Sequence, residues 1–485
     1  MGYYQIRSDN LRWTNVFPQR LRRHTLDKIL RHISDYVYSI AYDDLSPQVI
    51  HQAKRLWIDT LACTPRAFES NPVQIGVSLA KRNIATRPAT VLWGQHKTSV
   101  ELAAFVNSSM VRYLDFNDFY QGPEAKESGH PSDSFPSALA IAEQEGKTGK
   151  EIILGSVIGW EVYARLADRV AFRDYGFDQS IAIAIAATCS ASKVLGLSQS
   201  EIANAVALTT ASSVTLGEVR FGEVSMWKGC AAANGVRNGV FSAILAQQGM
   251  TGPLQIFEGP RGFFHGISGE FELGTFGGQN EPFRIMQSSV KHFAVGSVAQ
   301  TALECILKIR SEISSIRDIS RVELRTFAFG VNVMADSPSK WAPENRETAD
   351  HSLPYCIAIM LMFGEINDEY FSERYLREET ILSLMQRVDI VADEEATKLF
   401  PEQRKSKVLI QMDTGIEHYA ELSYHKGHPS NPMSDAEVEM KFKEQAEMYL
   451  SVRESDEIID QWWELDSQRD IPSLLSNLST GARKD

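Results

Sequence analysis

From Leu26 to Gln248 apolar residues recur at the three- and four-residue spacing of an amphipathic helix, and the starts of these segments carry helix-capping chemistry. Ser46 followed by Pro47 sets an N-cap before a proline at the first helical position, where the missing N–H leaves nothing unsatisfied. Val49, Ile50, Ala53, Leu56, Trp57 and Leu61 then fall on one stripe. Thr148 with Glu151, Ser198 with Glu201, and Ser434 with Glu437 each fit the capping box, in which hydroxyl and carboxylate satisfy otherwise orphan backbone donors. Ala182 to Ala191 and Gly229 to Gly239 are rich in small residues, which suits central helices whose backbones approach closely.

The helical period breaks between Gly252 and Gly278 into a mixture of Gly, Pro and Phe that reads as loop and turn, and a domain boundary is expected there. Beyond it, Val322, Leu324 and Thr326 alternate with charged residues. Val408, Ile410 and Met412 do the same before an Asp413-Thr414-Gly415 turn and a second run, Tyr419 to Tyr424. This predicts a small sheet with a hairpin. Helical spacing resumes at Ser434, so the last helices can return to the first domain and make the sheet-bearing part an insertion. A chain of 485 residues exceeds what one growing core accommodates, and two domains are expected.

Lys plus Arg at 49 against Asp plus Glu at 62 gives a net charge of -13, which argues against nucleic acid or an anionic membrane surface as partner. A polyanionic substrate therefore needs a pocket of concentrated cations. Cys63, Cys189, Cys230, Cys305 and Cys356 are scattered without metal-ligand spacing and read as reduced core thiols. No run approaches the roughly 18 apolar residues of a membrane span, and no secretory signal layout opens the chain. A cytoplasmic location is expected. Arg7, Arg12, Arg20, Arg22 and Arg23 leave mitochondrial import as the alternative to a plain basic tail.

Three stretches and one further pair of residues can carry chemistry. Arg112 to Asp133 (RYLDFNDFYQGPEAKESGHPSD) crowds Asp115, Asn117, Asp118, His130 and Asp133 around glycines and a proline. A histidine with a carboxylate beside it suits general acid/base work, and loop capping is the alternative. Arg220 to Lys228 offers a guanidinium and an ammonium for carboxylates, or a lysine snorkelling from a helix start. Lys291 and His292 offer cations before a helix beginning near Ser297. Ser337 to Leu361 places Lys340, Arg346, Asp350, His351 and Tyr355 on a polar connection entering a buried helix. The Tyr355 phenol can donate to a developing enolate or leaving hydroxyl, or simply cap a loop. GxGxxG after a strand, the P-loop, HExxH and GxSxG are all missing, so dinucleotide and NTP chemistry lose support.

These stretches, with KVLGLS (Lys193 to Ser198), MWKGCAAANG (Met226 to Gly235), RETADHSLPY (Arg346 to Tyr355) and GHPSNPMSDAEVEMKF (Gly427 to Phe442), resemble in order the MmgE/PrpD family. That family includes 2-methylcitrate dehydratases, cis-aconitate decarboxylases and an iminodisuccinate epimerase. The resemblance spans roughly residues 28 to 470. It implies a mainly α fold: a large all-helical domain from both chain ends (1–272 and 426–485), a smaller inserted α+β lid domain (273–425), and a homodimer with the active site between the domains. By the same resemblance Asp115, His130 and Tyr355 are the expected catalytic residues, with His130 moving the proton, Asp115 as its orienter or the base, and Tyr355 as donor. Arg220, Lys228, Lys291, Arg346 and His351 are expected to bind a small polycarboxylate, without metal or cofactor.

The chain departs from the family's dehydratases where Asp178-Gln179 stands for Asp-His, where Val298 stands for His, and where Ser134 follows the HPSD motif in place of Asn. The leading expectation is a hydro-lyase acting on a 2-methylcitrate-like or alkylcitrate-like substrate. An epimerase or decarboxylase on the same scaffold, and a catalytically idle binding or scaffold protein, are the competing ones.

Overall fold

The computed structural model describes residues 26–221 and 224–478; the arginine-bearing start of the chain lies outside them. The protein is mainly α. Its helices begin where the capping residues stand: Ser46, Thr148, Ser198 and Ser434 each accept the predicted backbone N–H, and a further capping box, Ser451 with Glu454, opens the helix Val452–Trp463. The helix Ser180–Leu195 is almost wholly buried and packs against Gly149–Ala167 and Trp227–Gln247. Small residues permit this. A Cβ on Gly239 would lie 2.8 Å from the Ala184 carbonyl oxygen and from the Thr188 amide.

The buried apolar residues form two clusters. One runs from Ile29 to Val290 and resumes from Met433 to Leu478; the other contains Phe293 to Ala420. The final helices therefore pack with the first part of the chain, Asp435–Ala446 lying against Pro47–Ala62. Leu273, Phe276, Phe283, Ile285 and Val290, expected on the lid side of a boundary at 273, belong to the first cluster. Their large apolar side chains bury themselves against helices already in place.

The second cluster is built around a four-stranded sheet in the order Val388–Ala392, Ile319–Thr326, Ser406–Met412, Glu417–Leu422. Its inward residues alternate as expected, Val322, Leu324 and Thr326 being buried while Ser320 and Arg325 are exposed. The 413–415 turn joins the antiparallel pair, with Val408 opposite Ala420. The parallel edge strand Val388–Ala392 was not anticipated, because Val388 alone among its residues is buried and no alternation marks it. Against this sheet packs the helix Gln300–Arg310, and on that helix Leu353–Phe363, buried over most of its length. Among the described residues no helix is long and apolar enough to cross a membrane.

Candidate active site

The helix Val100–Tyr113 ends just before Asp115, which adopts a left-handed backbone with φ of 51°. Asp tolerates that conformation better than most residues, and such strain persists where surrounding contacts enforce it. Here they do. Asp115 is buried, its carboxylate pairs with Arg112, and Lys291 reaches both its Oδ1 at 2.8 Å and its backbone carbonyl at 2.6 Å. Two backbone hydrogen bonds between Phe119 and Ser289 fix the loop against the segment that delivers Lys291.

His130 comes back to the same carboxylate because the chain folds on itself at Gly129, which exchanges backbone hydrogen bonds with Tyr120. A Cβ at Gly129 would sit 2.0 Å from the Tyr163 hydroxyl and 2.5 Å from Gln179 Oε1, so a larger residue cannot occupy this turn without displacement. The His130 Nδ1 donates to the Asp118 carbonyl at 2.9 Å, which leaves Nε2 facing Asp115 Oδ1 at 3.3 Å. From the other hydrophobic cluster, His351 Nε2 approaches Asp115 Oδ2 at 3.4 Å. The two imidazoles thus flank one carboxylate.

Behind His351 stands a second charged group. Its Nδ1 is 2.6 Å from Asp350 and 2.8 Å from Lys228 Nζ, and Lys228 donates to Asp350 at 2.6 Å. Arg346 closes this group, reaching Asp350 at 3.2 Å and Asp368 at 2.7 Å while its guanidinium lies over the Tyr113 ring. Arg220 pairs with Asp178 at 2.9 Å and donates to the Lys228 carbonyl at 3.1 Å.

Burial and neighbouring charge set the protonation. Burial alone would raise the Asp115 carboxyl, but Arg112 and Lys291 outweigh it and hold it well below the usual carboxylate range. Burial, with Arg112 and Lys291 close by, lowers His130 well below the ordinary imidazole value; burial and then Lys228 lower His351 to about 4. Both histidines are neutral at pH 7. Burial brings Lys228 and Lys291 down to about 8, against the pull of Asp350 and Asp115 respectively. Of these groups the two lysines are the ones poised near neutrality.

A cavity of about 100 Å³, roughly the room of several water molecules, opens at this point. Asp115, His130, Arg220 and His351 line it, and Phe119, Phe221, Val298, Phe329, Val333 and Met334 give it an apolar wall. Gln179 and Val298, the two positions that depart from the family's histidines, both face it. The Gln179 amide, buried at the lining, has no hydrogen-bond partner among the described residues.

The expected residues divide accordingly. Asp115, His130, Arg220 and His351 meet at the cavity, while Lys228, Lys291 and Arg346 stand behind them, tied to carboxylates. Tyr355 does not face the cavity, a correction to the expected donor: it is buried in the second cluster and its hydroxyl donates to the Tyr370 carbonyl at 2.5 Å. The helix Leu353–Phe363 that carries Tyr355 is buried from Leu353 to Leu361, which turns the phenol into the second core. Arg112 was missed as a functional position and Asp350, named in the third stretch, was given no role, although each lies within one helical turn of a partner, Arg112 three residues before Asp115 and Asp350 four after Arg346. The pairing of Lys228 with Asp350, 122 residues apart, has no local signal.

The fold and this cavity define a mainly helical protein with a buried acid/base cluster assembled from two hydrophobic cores. Residues 31–275 match the MmgE/PrpD N-terminal domain and residues 293–465 the MmgE/PrpD C-terminal domain. The chain belongs to the MmgE/PrpD family. It is 24% identical over 446 residues to the mitochondrial 2-methylcitrate dehydratase of Yarrowia lipolytica, covering 86% of this chain and 83% of that protein. It is 25% identical over 394 residues to the 2-methylcitrate dehydratase of Escherichia coli O157:H7, covering 76% and 79%. A 2-methylcitrate dehydratase-like protein of Aspergillus oryzae, oryR, is 24% identical over 472 residues, covering 90% and 91%.

Proposed function

We propose that the protein is a dehydratase that removes water from a 2-methylcitrate-like or alkylcitrate-like polycarboxylate by abstracting a proton alpha to a carboxylate. The observation that carries this reading is the pair of neutral histidines flanking the ionised Asp115 at one cavity. The apolar wall supports a substrate bearing a methyl or longer alkyl group, and the dehydratases among its relatives support the reaction type.

In this mechanism the free Nε2 of His130 takes the alpha proton, and the Asp115 carboxylate steadies the imidazolium that forms. Arg112 and Lys291 keep Asp115 ionised and oriented, so it serves as orienter in preference to base. His351 gives its Nε2 proton to the departing hydroxyl, which leaves as water, while Lys228 passes a proton into Nδ1. A lysine with a pKa of about 8 is suited to give that proton and regain it. Charge on the enolate-like intermediate is met by Arg112, Arg220 and the lysines, so no metal is called for. The homodimer implied by the family likeness accompanies this reading, and sedimentation of the purified protein tests it.

The decisive experiment offers citrate, 2-methylcitrate, longer alkylcitrates and cis-aconitate to purified protein in the presence of a chelator, read by ultraviolet absorbance and mass spectrometry. Loss of water from a 2-methyl- or alkylcitrate is expected; silence across the panel overturns the proposal. Gln179 and Val298 at the cavity favour, as a second reading, an epimerase or decarboxylase. Solvent deuterium entering substrate without water loss selects the former, and carbon dioxide release the latter.

A further inference from the structure

Four cationic side chains line the cavity: Arg112, Arg173, Arg220 and Lys340. Three of them are already neutralised. Arg112 pairs with Asp115, Arg173 with Glu127 at 3.3 Å, and Arg220 with Asp178 at 2.9 Å. Lys340 differs. It is 4% exposed, yet its ammonium makes no hydrogen bond or ion pair with any described residue. Asp336 also lines the cavity and Asp350 lies deeper; both favour the charged form of Lys340, but neither pairs with it.

Lys340 lines the cavity with its ammonium unpaired among the described residues, so a ligand entering there can supply the missing acceptor. The backbone around Lys340 is fixed in a way that favours this role. Its amide donates to the Ser337 carbonyl at 3.0 Å, and its carbonyl accepts from Ser352, the residue following His351. Trp341 is anchored by its indole to the Ala335 carbonyl at 3.1 Å. The lysine is therefore held in register with His351 through Ser352, the next residue, while its ammonium stays uncommitted.

We infer that Lys340 is a substrate-binding residue that receives a carboxylate distant from the reacting carbons, and so selects tricarboxylates over dicarboxylates. This rests on the polycarboxylate reading above and adds to it the residue that counts carboxylates. The neutralised arginines contribute directed hydrogen bonds, while Lys340 brings an ammonium that no carboxylate of the described residues pairs with directly. It draws a further anionic group to the part of the cavity lined by Asn332 to Lys340.

Calorimetry with tricarballylate and glutarate as probes, on wild-type protein and on the Lys340→Met and Lys340→Arg variants, tests the inference. Wild type is expected to prefer tricarballylate. Lys340→Met should bind it about ten- to a hundredfold more weakly, the loss of one charge-assisted hydrogen bond, with glutarate changed less than threefold or so. Lys340→Arg should recover most of the preference. An undiminished tricarballylate affinity in Lys340→Met overturns the inference while leaving the polycarboxylate reading intact; wild type that binds neither probe overturns both. Should Lys340→Met fail to fold, reductive methylation of wild type followed by peptide mass spectrometry decides: tricarballylate must slow modification of Lys340 several-fold, and an unchanged rate at saturating probe refutes the role.

Discussion

Replacing Asp115 by Asn removes one negative charge from the centre of the site while keeping its shape. The carboxylate Oδ1 lies 3.3 Å from His130 Nε2. At an effective dielectric of about 20, a unit charge pair at that distance interacts by about 5 kcal/mol. Arg112 and Lys291 share the same carboxylate and offset part of this, leaving about 3 kcal/mol of imidazolium stabilisation, or on the order of a hundredfold in kcat. KM should move much less, because the neutral histidine of the resting state gains little from the charge. Folding stability should fall by about 2 to 3 kcal/mol, towards the low end for breaking a buried pair, since Lys291 can shed its proton. Losing Asp115 lowers the Lys291 pKa further, so the basic limb of the pH profile should move down. The assay is steady-state dehydration of the best alkylcitrate substrate, with circular dichroism and thermal melts as controls. A folded Asp115→Asn protein within fivefold or so of wild-type kcat would refute the reasoning.

Lys228 and Lys291 lose their positive charge as pH rises through about 8. kcat/KM should therefore fall above that pH, and Lys228→Arg should lose activity through the missing proton relay while keeping its charge on the alkaline side; a profile flat to pH 10 or so would contradict this. Tyr355→Phe should cost about 1 kcal/mol in a denaturant melt through the lost bond to Tyr370 and leave kcat within about threefold of wild type; a hundredfold loss would place the phenol in the chemistry after all. Gly129→Ala forces a methyl against the Tyr163 hydroxyl and Gln179, and should lower stability by about 1 to 3 kcal/mol and abolish turnover by displacing His130; a fully active variant would show that the turn has slack. Lys441→Met removes donors to Asp59 and to the Phe116 and Lys291 carbonyls, which together hold the loop after Asp115 against Lys291. It should destabilise by about 3 to 5 kcal/mol in chemical denaturation, and an unchanged midpoint would remove Lys441 from this role.

The sequence by itself determined the local architecture. Caps at Ser46, Thr148, Ser198 and Ser434, the small-residue helices around Ala184 and Gly235, and the alternation through Val322 and Val408 are short-range signals, and the structure follows each of them. The motifs around Asp115, His130 and His351 were legible for the same reason: unusual densities of ionisable residues stand out along the chain. Which of those residues meet was decided by the tertiary structure. Tyr355 is three residues from Ser352 and four from His351, yet helical geometry turns its phenol toward Tyr370 while His351 turns toward Asp115. Lys228 finds Asp350 only once two hydrophobic cores have closed on each other, and Lys291 finds Asp115 through the long-range pairing of Phe119 with Ser289. Charge pairing across such separations has no periodicity to read. It depends on the packing of side chains between the cores, which also leaves Lys340 at the cavity without a directly paired carboxylate among the described residues.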